Sequence, residues 1–191
     1  MKLRLCKRSL TSLILLGILV LPAGCNHSSR KAAREAANFP PDNLLPVDVS
    51  SEEFIVSKRV YVPVYSSIFW RYAHATELVA AMSVRNIDPE DAIFLTGVSY
   101  YDSDGVVIRT YLDQTYRLGP MATAAFTIPR DDESGGFGAN FMVEWGATGL
   151  VSDPIVETVM FGQAGSAGIS FTSRGKIIDE TRRTASPPPE E

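Results

Sequence analysis

Apolar and polar residues alternate with period two, in run after run, between Val60 and Arg174. A strand explains this pattern, because its successive side chains project to opposite faces. A helix does not, because its apolar stripe recurs every three to four residues. Val60, Val62 and Val64 stand against Tyr61, Pro63 and Tyr65, and Leu78, Ala80, Met82 and Val84 against Glu77, Ala81, Ser83 and Arg85. Val106, Ile108 and Leu112 oppose Arg109, Tyr111 and Asp113; Ala122, Ala124, Phe126 and Ile128 oppose Thr123 and Thr127; Phe141, Val143 and Trp145 oppose Asn140 and Glu144. Further strands are expected at 93–101, 155–161 and 169–174. No helical run separates them, so parallel crossover units are excluded. The expectation is an all-β fold: an antiparallel β-sandwich of about seven to eight strands over residues 58–179, with a closed barrel as the alternative. It is Ig-like in architecture alone, since paired cysteines and a tyrosine corner are missing. Asp104-Gly105 predicts a hairpin turn with both residues at positive φ. Pro63 lacks an N–H for a ladder and predicts that the first strand is an edge.

The start of the chain reads differently. Lys2, Arg4, Lys7 and Arg8 precede the apolar run Leu13–Leu21, and Pro22-Ala23-Gly24-Cys25 follows. A basic start, a short apolar run and a small-residue site make a secretory signal over 1–24; the run is too short to span a bilayer as a helix. Ala23-Gly24-Cys25 resembles the bacterial lipobox, although Pro22 stands where that pattern usually has Leu. The resemblance implies diacylation of Cys25 and attachment to a membrane of the bacterial cell envelope, facing the periplasm, with inner and outer membrane both open. Removing the segment takes four basic residues and Cys6, leaving a more acidic chain whose one cysteine is the acylated one. No intramolecular disulfide can then form, and stability must come from the core. Residues 25–57, broken by Pro40-Pro41 and Pro46, read as a lipid-anchored tether. Residues 180–191, polar and rich in Pro, read as a disordered tail.

The formal charge of −4 argues against nucleic acid as a partner, because a phosphate-binding surface needs a basic stripe. No cofactor is implied, and no catalytic residue emerges. Asp102-Ser103-Asp104-Gly105 fails as an EF-hand, because Tyr100 and Tyr111 would occupy the first and twelfth ligand positions. Ser166 between glycines leads into a β-pattern rather than a helix and lacks a downstream His, so a nucleophile elbow is not supported. Glu144 and Glu157 are surface carboxylates unless a cleft brings them together. Gly135-Gly-Phe-Gly138 lacks the Lys and helix of a phosphate loop and reads as a flexible turn. Asp131, Asp132 and Glu133 are the best metal candidates, with Asn140 as a further oxygen, because hard divalent ions take oxygen ligands.

A non-catalytic cluster is more informative. Tyr65, Phe69, Trp70, Arg71 and Tyr72 concentrate the residue types that dominate binding hot spots. The alternative is that Phe69 and Trp70 seal one end of the sandwich. Arg85, Asn86, Asn140 and Arg174 form a second candidate set on an outer sheet face, with hydrogen bonding at turns and strand ends as the plainer account.

Tyr61–Tyr65, Ser83–Asp88, Val98–Gly105, Gly135–Trp145 and Gly168–Gly175 together resemble an uncharacterised bacterial exported or lipoprotein family, domain of unknown function 3124. That resemblance covers about 61–178 and implies no activity. The expected function is a membrane-anchored envelope lipoprotein whose β-sandwich serves as a binding or scaffold module for an envelope protein partner. The alternatives are a metal-assisted hydrolase using Asp131, Asp132 and Glu133, or a periplasmic glycan- or peptide-binding protein using the aromatic segment.

Overall fold

The computed structural model describes residues 40–70 and 74–183. The signal segment, Cys25, the tether before Pro40 and the end of the tail lie outside these residues. The strands are β1 (Leu45–Pro46), β2 (Val56–Pro63), β3 (Ser67–Trp70), β4 (His74–Arg85), β5 (Ile93–Tyr101) and β6 (Val107–Thr110). They continue as β7 (Tyr116–Leu118), β8 (Thr123–Ile128), β9 (Asn140–Ala147), β10 (Ile155–Ala164), β11 (Ala167–Arg174) and β12 (Lys176–Arg182). All pairings are antiparallel. One seven-stranded sheet runs β1-β7-β5-β9-β2-β12 with β6 on β5; a five-stranded sheet runs β11-β10-β4-β3 with β8 also on β4.

The inward half of the runs in β2, β4, β5, β8 and β9 forms the core between the sheets; in the 106–113 run the expected pattern fails, with Val106 60% exposed and Tyr111 buried. The smaller sheet contributes Leu78, Ala80, Met82, Val84, Phe126, Ile128 and Met160; the larger contributes Val60, Val62, Leu95, Phe141, Val143 and Trp145. In β5 the alternation skips a residue, from Leu95 to Val98, and the register against β9 shifts there. An extra residue of this kind is a β-bulge, and it restores the inward set.

All eight expected stretches contain strands and the two-sheet antiparallel fold is as expected, but the described residues form twelve strands rather than seven to eight. Three further details differ. First, β2 is not an edge: β9 pairs along one side and β12 along the other. Pro63 is tolerated because β12 pairing stops at Tyr61, so the side lacking a donor meets no partner strand N–H or C=O. Second, the turn after β5 places only Gly105 at positive φ, at 80°. Gly105 N–H donates to the Asp102 carbonyl and Asp102 N–H to that of Val106, closing a three-residue loop with a left-handed glycine. Third, the body extends past 58–179. Leu44, Phe54 and Val56 are buried, β1 pairs β7, and β12 continues to Arg182. These segments carry too few alternating residues to stand out beside the prolines.

β11 and β12 are one extended stretch that changes sheet at Gly175. A Cβ there would come within 2.6 Å of Val60 Cγ1 and 3.1 Å of the Val156 carbonyl oxygen, so only glycine lets the corner pass this close.

The chain enters and leaves at one end of the sandwich. Leu45, Arg117, Phe94, Gly146, Ser57 and Thr181 form a single cross-strand row of the larger sheet. The opposite end carries the row Tyr101, Asn140, Pro63 and the loops 64–67, 102–106 and 129–139.

Candidate functional site

At the end opposite the chain entry, β2 stops at Pro63 and turns through Tyr65 and Ser66 into β3. Ser66 donates through both its N–H and its hydroxyl to the Gly136 carbonyl, at 3.3 and 3.0 Å. Ser103 donates its hydroxyl to the Gly135 carbonyl at 2.9 Å and accepts from Gly138 N–H at 2.9 Å. The glycine run is therefore a pinned crossing point rather than a flexible turn. A Cβ on Gly135 would fall 1.8 Å from the Tyr100 hydroxyl, and Gly136 has φ 71°.

This pinning holds Phe137 at the crest. Its ring meets Tyr65 edge-on at 5.3 Å and lies 6.1 Å from Phe69; Tyr65 also meets Phe171 at 5.7 Å. Phe69 is 71% exposed and Phe137 52% exposed, while Tyr65 and Ile68 are partly buried against the core. Tyr65 and Ile68 thus do the sealing, and Phe69 and Phe137 present aromatic surface to solvent. Trp70 pairs with His74 at the far end of β3. Arg71 and Tyr72 lie outside the described residues. Sequence reasoning missed Phe137, whose neighbours are glycines and acids; its signal is a lone large aromatic within a glycine run.

Beneath this end lies a closed polar group. Asp132 is buried and accepts from Ser134 N–H at 3.1 Å, from the Ser134 hydroxyl, and from Arg109 at 3.5 Å. Arg109 also approaches the Tyr111 hydroxyl at 3.4 Å and lies over its ring. Burial pushes the Tyr100 hydroxyl up to about 12, aided by the Asp132 charge; burial likewise raises Tyr111, with Arg109 opposing. Both phenols stay neutral at physiological pH, and the Tyr100 hydroxyl has no hydrogen-bond partner among the described residues.

The metal candidates Asp131, Asp132 and Glu133 do not converge in this structure. Asp132 turns inward to Ser134 and Arg109 while Asp131 and Glu133 stay exposed. Among the described residues no group of three His, Cys, Asp or Glu side chains is placed to hold an ion.

The second candidate set is not brought together either. Arg85 pairs with Glu157 at 3.3 Å on the outer face of the smaller sheet, and Arg174 sits opposite Glu157 in register. Asn140 lies on the larger sheet, between Pro63 and Tyr101. Asn86 is buried at the entry end. Its Nδ2 donates to the carbonyls of Asp91, Gly119 and Leu118 at 2.8, 2.9 and 3.3 Å, and its Oδ1 accepts from Asp88 N–H at 3.0 Å. Asp88 in turn accepts from the N–H groups of Ser152, Asp91 and Glu90, which hold its carboxyl below the usual range. Asn86 ties its own loop to the one at Leu118–Gly119, and Asp88 adds the loop of Ser152; Asn86 is a knot with no donor left for a ligand. Glu144 pairs with Arg59 on the larger sheet and Glu157 with Arg85 on the smaller one, so they share no cleft.

Lys58 was not foreseen as a buried charge. It occupies an inward position between Val56 and Val60, 5% exposed, with Nζ 2.7 Å from Asp153, 3.4 Å from Glu180 and 5.8 Å from the Trp145 ring centroid. A lysine at an inward register is the sequence signal for such a pairing.

The family model described as a protein of unknown function (DUF3124) matches residues 57–178. Among solved structures the chain is similar to the crystal structure of Thermotoga maritima 1070, from Thermotoga maritima, at 11% identity and a TM-score of 0.37. The match covers 62% of this chain and 92% of that one, and the likeness is too loose to carry an argument. A search of curated proteins finds no match.

Proposed function

This chain belongs to the DUF3124 family, whose activity is unassigned, and we propose that it is a lipid-anchored protein of the bacterial cell envelope whose β-sandwich serves as a binding or scaffold module. The observation that carries the reading is Ala23-Gly24-Cys25 directly behind a basic start and a short apolar run. Diacylation of Cys25 supplies two hydrophobic chains, which is what stable membrane attachment requires. The stretch from Asn26 to Phe39 allows up to about 50 Å of extended reach between lipid and body. Chain entry at Asn43–Leu45 lies at the end opposite Phe69 and Phe137, so attachment through Cys25 leaves that surface uncovered. Phe69 and Phe137 then form the surface available to an envelope partner.

Fractionation tests the anchor. Wild-type chain is expected in the membrane fraction and Cys25→Ser in the soluble fraction. Membrane retention of Cys25→Ser would overturn acyl anchoring.

A further inference from the structure

We infer that the end of the sandwich built from loops 64–67, 102–106 and 129–139 docks a basic, apolar-bearing segment of a partner protein. The inference rests on the binding-module reading above but does not depend on the lipid anchor.

The apolar part is contiguous. Phe69 and Phe137 touch across 6.1 Å, with Tyr65 and Phe171 behind them, and Val106, 60% exposed, crowns the neighbouring turn. Hydrogen bonds from Ser66 and Ser103 fix the three loops against one another. A preorganised aromatic surface loses little conformational freedom on binding, which favours an anchor site.

Among the described residues the exposed charge of these loops is mostly acidic, with Arg130 the one exposed base. Asp104, Asp131 and Glu133 are exposed in these loops, and Asp102 is half-buried. Arg109 is taken up by the buried Asp132. Arg130 lines, with Val79, Phe161 and Gln163, a groove on the outer face of the smaller sheet. An apolar centre with an acidic rim complements a segment carrying Lys or Arg beside large apolar residues. A second copy fits poorly, because a two-fold contact would set these acids against their own symmetry mates. Anionic lipid fits poorly for the same electrostatic reason.

Fluorescence anisotropy on the full chain carrying Cys25→Ser tests the inference. The probes are short fluorescein-labelled peptides: one alternating Lys and Leu, one alternating Glu and Leu, and one alternating Lys and Ser. The Lys/Leu probe is expected to bind best. It should lose about tenfold in affinity, the scale of one hot-spot side chain, on Phe137→Ser and on the Asp131→Asn, Glu133→Gln pair. Raising the salt from about 0.05 to about 0.3 M should weaken it further. Both substitutions fall on exposed residues, so unchanged thermal unfolding confirms that the fold persists. The inference is overturned by equal binding of the Glu/Leu probe, by unchanged affinity in both variants, or by Lys/Ser binding as well as Lys/Leu. It is also overturned if Phe137→Ser instead abolishes self-association or binding to anionic phospholipid vesicles. None of these outcomes bears on Cys25, whose role fractionation tests separately.

Discussion

Replacing Asn86 by alanine should destabilise the protein by about 3 kcal/mol. Four side-chain hydrogen bonds are lost, three of them at 3.0 Å or less. Each contributes about 1 kcal/mol net, and the groups left unpaired in a buried site cost more than exposed ones. For a domain of this size that corresponds to a fall in Tm of about 9 °C. Asn86→Asp is the sharper variant. It keeps the shape and the Oδ1 acceptor for Asp88 N–H, but it points a carboxylate oxygen at the carbonyls of Asp91, Leu118 and Gly119. Burying an unpaired charge against three acceptors should cost at least as much as alanine at neutral pH. Urea titrations with unchanged m-values, read beside thermal melts, measure both. An alanine variant within about 1 kcal/mol of wild type, or an aspartate variant milder than alanine, would refute the knot and return Asn86 to the pool of free ligand-binding groups.

Gly175→Ala should cost about 2 kcal/mol, because the new Cβ meets Val60 and the Val156 carbonyl at a strand corner with no room to relax; a urea titration checks it. Asp153→Ala should cost more than Lys58→Met, since the first strands a buried ammonium with only the longer Glu180 contact while the second frees a half-exposed carboxylate; paired denaturation curves rank them. The lowered Asp88 carboxyl contributes stability at neutral pH that is lost as pH falls through and below the ordinary carboxylate range, so Asp88→Asn should flatten the acid limb of a stability profile. Tyr100 has the opposite sign. Its raised value, about 12, makes a contribution present below about pH 10 and lost as pH rises through 12, and Tyr100→Phe should flatten that alkaline limb at little cost in neutral stability, because the hydroxyl makes no hydrogen bond within normal geometry.

The fold was legible wherever one face of a strand is buried and the other is wet. That condition held for the runs in β2, β4, β8 and β9, whose inward residues are nearly all core. It failed for β1, β3, β7 and β12. These are short or wholly exposed, so their pairing is decided by neighbouring strands rather than by their own pattern. The aromatic segment was legible in part: Tyr65 and Phe69 are where the composition pointed, but their partner Phe137 comes from a loop far away in sequence. The members of the acidic triplet and of the Arg85–Asn86 set are not brought together, for a common reason. Composition shows which groups can bind, whereas direction decides whether they are free, and Asp132 and Asn86 both turn inward to satisfy backbone and side-chain partners.

Mass spectrometry of the first peptide of the chain, isolated from a bacterial membrane fraction, tests the central claim most directly. The account predicts a peptide beginning at Cys25 with diacylglycerol on its sulfur. A peptide beginning at Met1, or an unmodified Cys25 in a soluble chain, would contradict it.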